Sequence, residues 1–123
     1  MIQILHEKDP DKINQTIHQS GLNFDNSDNL RVIVASNDDA PIGYGLYDAE
    51  NGEILGVSSS EPSMMLPLLK AALNALERAG KTSAFCRNHD LKEILLQARF
   101  EEVDGVYTVS LVGYFDVKCH GGK

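Results

Sequence analysis

Apolar positions in this chain recur with two different spacings, and the change from one to the other marks out the elements. Residues 2–5 are a short apolar start. Asp9-Pro10 then supplies a cap followed by a proline at the first helical position, where its missing N–H costs nothing. Ile13 and Ile17 fall one turn apart on the buried side of the first helix, and Gly21 after Ser20 offers the left-handed conformation that ends helices. Residues 23–29 (NFDNSDN) are polar and turn-rich, which predicts a loop.

Spacing then changes to that of strands. Residues 30–36 and 42–47 are β-rich runs on either side of the 37–41 turn cluster, and predict a hairpin. Asn51-Gly52 favours a type I′ connection into a third antiparallel strand at 53–58. A long helix over 64–79 carries Leu68, Leu69, Ala72, Leu73, Leu76 and Ala79 on one broad side, with Gly80 to end it, so it must cover a sheet. Residues 82–87 (TSAFCR) read as a strand parallel to its predecessor across that helix. Asn88 caps a final helix bearing Leu91, Ile94, Leu95 and Ala98. Residues 100–103, an Asp104-Gly105 turn and 106–117 complete the pattern with two antiparallel strands. A long apolar last strand at an edge invites a second subunit, so a homodimer through 106–117 is expected.

At 123 residues the chain fits one core, assigned to residues 1–117 with 118–123 as a flexible tail. Asp and Glu number 18 against 11 Lys and Arg, a formal charge of -7, which opposes a polyphosphate partner, so no nucleic acid is expected. No apolar run is long enough to span a bilayer and the start is charged too early for a leader, so a cytoplasmic protein without a membrane partner is expected.

The order strand, helix, three-strand meander, helix, strand, helix, strand, strand resembles the GNAT acetyltransferase superfamily across nearly the whole chain. LKAALNALERAGKTSAFC is similar to that family's long central helix and following strand. NHDLKEILLQARFEEVDGVYTVSL is similar to its later region, with Arg99-Phe100 where Gly-Phe is usual. The resemblance implies an α/β (α+β) fold, a mixed and mostly antiparallel twisted sheet of about six to seven strands with three main helices. It also implies acetyl-CoA between the fourth and fifth strands, with its pyrophosphate on a basic, glycine-rich turn.

That turn is where the chain departs from the family. Aligned by Leu68-Leu69, Ser60 replaces the basic residue, Ser63 and Met65 replace the glycines, Glu61 adds a carboxylate, and Pro62 lacks an N–H. Each change opposes a polyanion held at a helix start. The expectation is that Ser60 or Ser63 caps the helix and that Met64, Met65 and Leu66 partly fill the groove. Val57, Ser58, Ser59, Ser60, Ser63, Met65 and Asn88 are the candidate groove residues. Leu95 stands where the family's acidic tyrosine would be, and Glu53 and Glu61 are the nearest candidate bases.

Cys86, His89, Cys119 and His120 are ligand types for zinc or iron, but the adjacent Cys119-His120 is poor spacing for one metal, so these stand as weak candidates. The three serines lack a nucleophile elbow, which removes a hydrolase. The sequence therefore predicts a GNAT-like domain that has lost conventional acetyl-CoA binding and serves as a small-ligand or protein-binding, regulatory module with no cofactor. The alternative is an active acyl-CoA-dependent N-acyltransferase with divergent contacts to acetyl-CoA or another acyl-CoA.

Overall fold

A computed structural model describes residues 2–19, 30–38 and 40–114, with the side chains of residues 10, 16, 17 and 19 outside that description. The expected helix end at Ser20-Gly21, the expected 23–29 loop, the expected burial of Ile17, residues 115–117 of the expected last strand and the expected 118–123 tail lie outside the described residues.

The strands are β1 (Ile2–His6), β2 (Leu30–Asn37), β3 (Ala40–Asp48), β4 (Glu53–Ser59), β5 (Ser83–Cys86), β6 (Glu101–Val103) and β7 (Val106–Ser110). Helices α1 (Pro10–Gln19), α2 (Met65–Arg78) and α3 (Lys92–Gln97) are interleaved with them, and 3-10 turns at Pro62–Met64 and His89–Leu91 lead into the last two. The strands form one seven-stranded sheet in the order β1-β2-β3-β4-β5-β7-β6. Every pairing is antiparallel except that of β4 with β5.

The apolar stripe of α2 works as its spacing predicts: Leu68, Leu69, Ala72, Leu73 and Leu76 are all buried. They meet Ile33, Ala35, Tyr47, Ile54, Val57 and Ala84 from the sheet, and Leu95 and Phe100 from the later region. Each large side chain so buried contributes about 1.5–3 kcal/mol by leaving water. A smaller cluster, Leu30, Val32, Leu46 and Leu55, occupies the opposite face with Ile13 of α1 packed on it. No helix of the described residues is long and apolar enough to cross a membrane.

Three local expectations are corrected. Glu53 pairs with Asp48, so the β3–β4 connection is a four-residue turn, not a type I′ pair. Asp48 closes it: its carboxylate accepts from the N–H groups of Glu50 (2.8 Å) and Asn51 (3.0 Å), its carbonyl accepts from Gly52, and Gly52 alone there takes a positive φ. The last strand stops at Ser110, because Leu111 turns to donate to the Thr82 carbonyl (2.8 Å) and residues 112–114 form a turn. It is also not an edge: β7 lies between β5 and β6, and the free edges of the sheet are β1 and β6.

Candidate functional site

The parallel pair of strands opens. β4 and β5 are in register only at Glu53 with Phe85 and Ile54 with Cys86. Beyond this, β4 runs on through Leu55, Gly56, Val57, Ser58 and Ser59 with β3 as its partner, while β5 ends and the chain turns at Arg87 and Asn88. A bulge opposite Leu46 and Tyr47 inserts Leu55 as an extra residue just where the two strands part.

The helical segments after the two strand ends frame a cleft of about 820 Å³, with the Pro62–Met64 turn and the start of α2 on one side and the His89–Leu91 turn and α3 on the other. Its apolar lining comes from Pro62, Met65, Leu66, Pro67, Leu91 and Ile94. Its ionic and polar lining comes from Asp90, Glu93, Lys92, His89, Ser63 and Gln97.

The serine turn is tied inward. Ser59 Oγ donates to the Ile42 carbonyl (2.7 Å) and accepts from the Glu61 N–H (3.0 Å), and the Ser60 N–H donates to the same Ile42 oxygen (2.9 Å). Gly43 makes this possible: a Cβ there would meet Ser58 O and Ser59 Cβ at 2.7 Å. The expected capping by Ser60 or Ser63 is not what is found, since Glu61 precedes the 3-10 turn and neither helical start has a side-chain cap. Ser59 takes over by turning the chain one step earlier.

Of the other candidates, Val57 is buried in the core and Ser58 is exposed opposite Tyr44. Ser63 and Met65 reach the cleft. Met64 is buried in the core and does not line the cleft, and Met65 and Leu66, which do, are only half-buried and leave it open, so the groove is not filled as expected. Asn88 is the cap its sequence predicts, its Oδ1 accepting from the Asp90 N–H at 3.0 Å.

None of the acid and base candidates lines the cleft. Leu95 is fully buried. Glu61 is exposed on the loop, and both oxygens of Glu53 are held by Arg87.

Cys86 is buried, and burial pushes its thiol up to about 11, against the Asn88 backbone hydrogen bond that lowers it. A metal ligand must be the thiolate, so this cysteine is poorly disposed. His89 lines the cleft and stacks edge-on against Tyr107 at 5.3 Å. No group of three or more His, Cys, Asp or Glu gathers among the described residues, and Cys119 and His120 lie outside them.

The sequence reading missed Pro67, Asp90, Lys92, Glu93, Ile94 and Gln97. A signal was available for four of them: Asp90, Glu93, Ile94 and Gln97 stand at i, i+3, i+4 and i+7 and share one helical face.

No protein-family model matches the sequence, and no curated protein sequence matches it. Solved structures do match the fold. The ribosomal-protein-S18-alanine N-acetyltransferase of Escherichia coli superposes with a TM-score of 0.68 at 11% identity, over 90% of this chain and 94% of that one. A mutant AtaT toxin bound to the C-terminus of the antitoxin AtaR superposes at 0.64 and 11% identity, over 100% and 99%. N-acetylglutamate synthase of Neisseria gonorrhoeae, in complex with coenzyme A and N-acetyl-glutamate, gives 0.61 at 10% identity, over 90% of this chain and 35% of that one. The chain therefore has the GNAT acetyltransferase fold.

The start of α2 offers little to an anion. The loop from Ser59 to Pro62 carries one charge, the Glu61 carboxylate. Two of its serines are engaged with Ile42 and with the loop itself. Pro62 opens the 3-10 turn, and Pro67, third residue of α2, removes another of the N–H groups a helix start offers. Side chains of Ser63 and Met65, not bare backbone, line the cleft wall at the start of α2.

Proposed function

We propose that this GNAT-fold domain has lost the conventional acetyl-CoA site and acts as a binding module, taking a small ligand or a protein segment in the cleft between the starts of α2 and α3. One observation carries the reading: the segment leading into α2 has no cation, has prolines at 62 and 67, and holds the Ser59 hydroxyl on the Ile42 carbonyl. A polyanion gains little there, and an apolar surface gains from six apolar wall residues.

The parting of β4 and β5 beyond Ile54 and Cys86 favours a second reading, an acyl-CoA-dependent N-acyltransferase with divergent contacts. The coenzyme A complex of the structurally similar synthase supports it to the same extent. Self-association by strand pairing falls to β1 or β6, the free edges.

Calorimetric titration with acetyl-CoA, coenzyme A and a longer acyl-CoA at low salt separates the two readings. The binding-module reading expects no heat of binding up to millimolar ligand. Micromolar binding would establish the acyltransferase reading instead.

A further inference from the structure

The cleft has a shape and a charge that the loss of pyrophosphate contacts leaves unexplained. It is half-open, not enclosed, and its two walls are short helical segments. The Pro62–Met64 turn runs into α2, and the His89–Leu91 turn runs into α3. The stretch from Asp90 to Gln97 advances about 10 Å at helical rise, close to the distance between the first and last of three apolar residues at i, i+3 or i+4, and i+7 on a partner helix. The apolar side chains lie on both walls, with Pro62, Met65, Leu66 and Pro67 facing Leu91 and Ile94. Methionine and leucine in such a groove adapt to the side chains of a guest.

Charge selects among guests. Asp90 and Glu93 on the wall set two carboxylates against the single ammonium of Lys92, within a chain of formal charge -7. The Asp90 N–H is occupied by the Asn88 cap, but the Asp90 and Glu93 side chains enter no ion pair among the described residues. Acidic segments and phosphates are disfavoured at such a rim, and lysine or arginine flanking an apolar stripe is favoured.

We propose that the cleft is a docking groove for a basic amphipathic helix of a partner protein, with its apolar stripe on Met65, Leu66, Pro67 and Ile94 and its cations on Asp90 and Glu93. The proposal rests on the binding-module reading and names the occupant.

The probe is a Leu/Lys amphipathic helical peptide of about four turns, with a Leu/Glu peptide of the same apolar pattern as its counterpart. Both are titrated by calorimetry at near-physiological salt into the wild-type chain and two double variants. Asp90→Lys with Glu93→Lys reverses the groove charges. Glu77→Lys with Glu102→Lys makes the same change of net charge at exposed sites elsewhere, and circular dichroism confirms that both variants fold.

The Leu/Lys peptide is expected to bind at micromolar concentration, the Leu/Glu peptide not to bind, and the groove reversal to weaken binding about tenfold while the control reversal leaves it within about twofold. Ile94→Gln is expected to weaken it by a similar factor through the apolar contact. Equal weakening by both reversals would reduce the effect to net charge and overturn the proposal, as would absence of binding.

The two readings fail separately. Peptide silence with acyl-CoA silence ends this proposal and leaves the binding-module reading standing, whereas micromolar acyl-CoA binding ends both.

Discussion

Arg87 closes a two-point fork on Glu53, Nε to Oε2 at 2.8 Å and Nη2 to Oε1 at 2.9 Å, and the two ends of that fork live in different surroundings. The Glu53 side chain is 9% exposed and the Arg87 side chain 64%. The buried end depends on the exposed one: the hydrogen bonds to Glu53 hold the guanidinium more firmly protonated, and its charge leaves the carboxylate paired. Glu53 is thereby held by Arg87 in the short stretch where β4 and β5 pair, just before they part.

Removing only Arg87 should cost more than removing the pair. Arg87→Met strands a buried carboxylate and is expected to lower the melting temperature by several degrees at neutral pH. Glu53→Gln combined with Arg87→Met should recover part of that loss. Thermal unfolding of the single and double variants is the check, and equal melting points would show that the pair carries no such asymmetry.

His6 and Tyr47 tie the edge strand β1 across β2 to β3, Nε2 to Oη at 2.7 Å. Burial lowers the His6 pKa from 6.5, and the charges of Arg31 and Lys8 lower it further. The folded state thus favours the neutral ring, and the unfolded chain binds more protons below pH 6.5, so stability falls as pH drops through and below that value. Burial raises the Tyr47 pKa from 10.0, against the opposing charge of Arg31. The unfolded chain loses that proton first, so stability falls again as pH rises above 10.0. Melting curves against pH should show both flanks, with the acid flank reduced in His6→Gln and the alkaline one in Tyr47→Phe. Unchanged flanks would assign the pH dependence to other groups.

Arg99 takes a left-handed backbone that costs an L side chain, with φ at +73°. Its guanidinium lies 5.3 Å from the centre of the Tyr114 ring, an attraction that offsets part of the cost. Arg99→Ala and Arg99→Gly both delete that contact, so the difference between them isolates the backbone. Glycine is expected to be the more stable of the two by about 1 kcal/mol in chemical denaturation. An alanine variant of equal stability would mean that the turn relaxes without strain.

How far the sequence reached depends on which signals were local. The α2 stripe, the Asn88 cap and the order of the elements along the chain were legible, because each depends on spacing or on one side chain with its own backbone. The serine turn was not: Ser59 bonds to Ile42, seventeen residues earlier in the chain and one strand away, and the neighbouring Gly43 is what lets them meet. The end of β7 escaped for the same reason, since it is set by Leu111 reaching Thr82. The cleft wall on α3 was half legible. Its i, i+3, i+4, i+7 face is visible in the sequence, but what lies opposite it depends on how β4 and β5 diverge.

The strongest test of the proposed loss of the acetyl-CoA site is to restore the loop. Ser60→Arg restores a cation to the loop, Glu61→Gln removes the opposing carboxylate, and Ser63→Gly with Met65→Gly clears side chains from the wall where backbone must approach an anion. The glycine at 65 costs about 1 kcal/mol of helix propensity at the first position of α2, which the buried leucine stripe can absorb. Against a parent that shows no binding, the fourfold variant should bind acetyl-CoA measurably, with an affinity that falls as salt rises because the gain is electrostatic. Ser60→Arg with Glu61→Gln alone should recover only part of this, since Pro62 and Pro67 still withhold their donors. A parent that binds acetyl-CoA as tightly as the rebuilt loop would show that contacts elsewhere in the cleft hold the coenzyme, and the loop's departures would then mark divergence in an enzyme, not the loss of one.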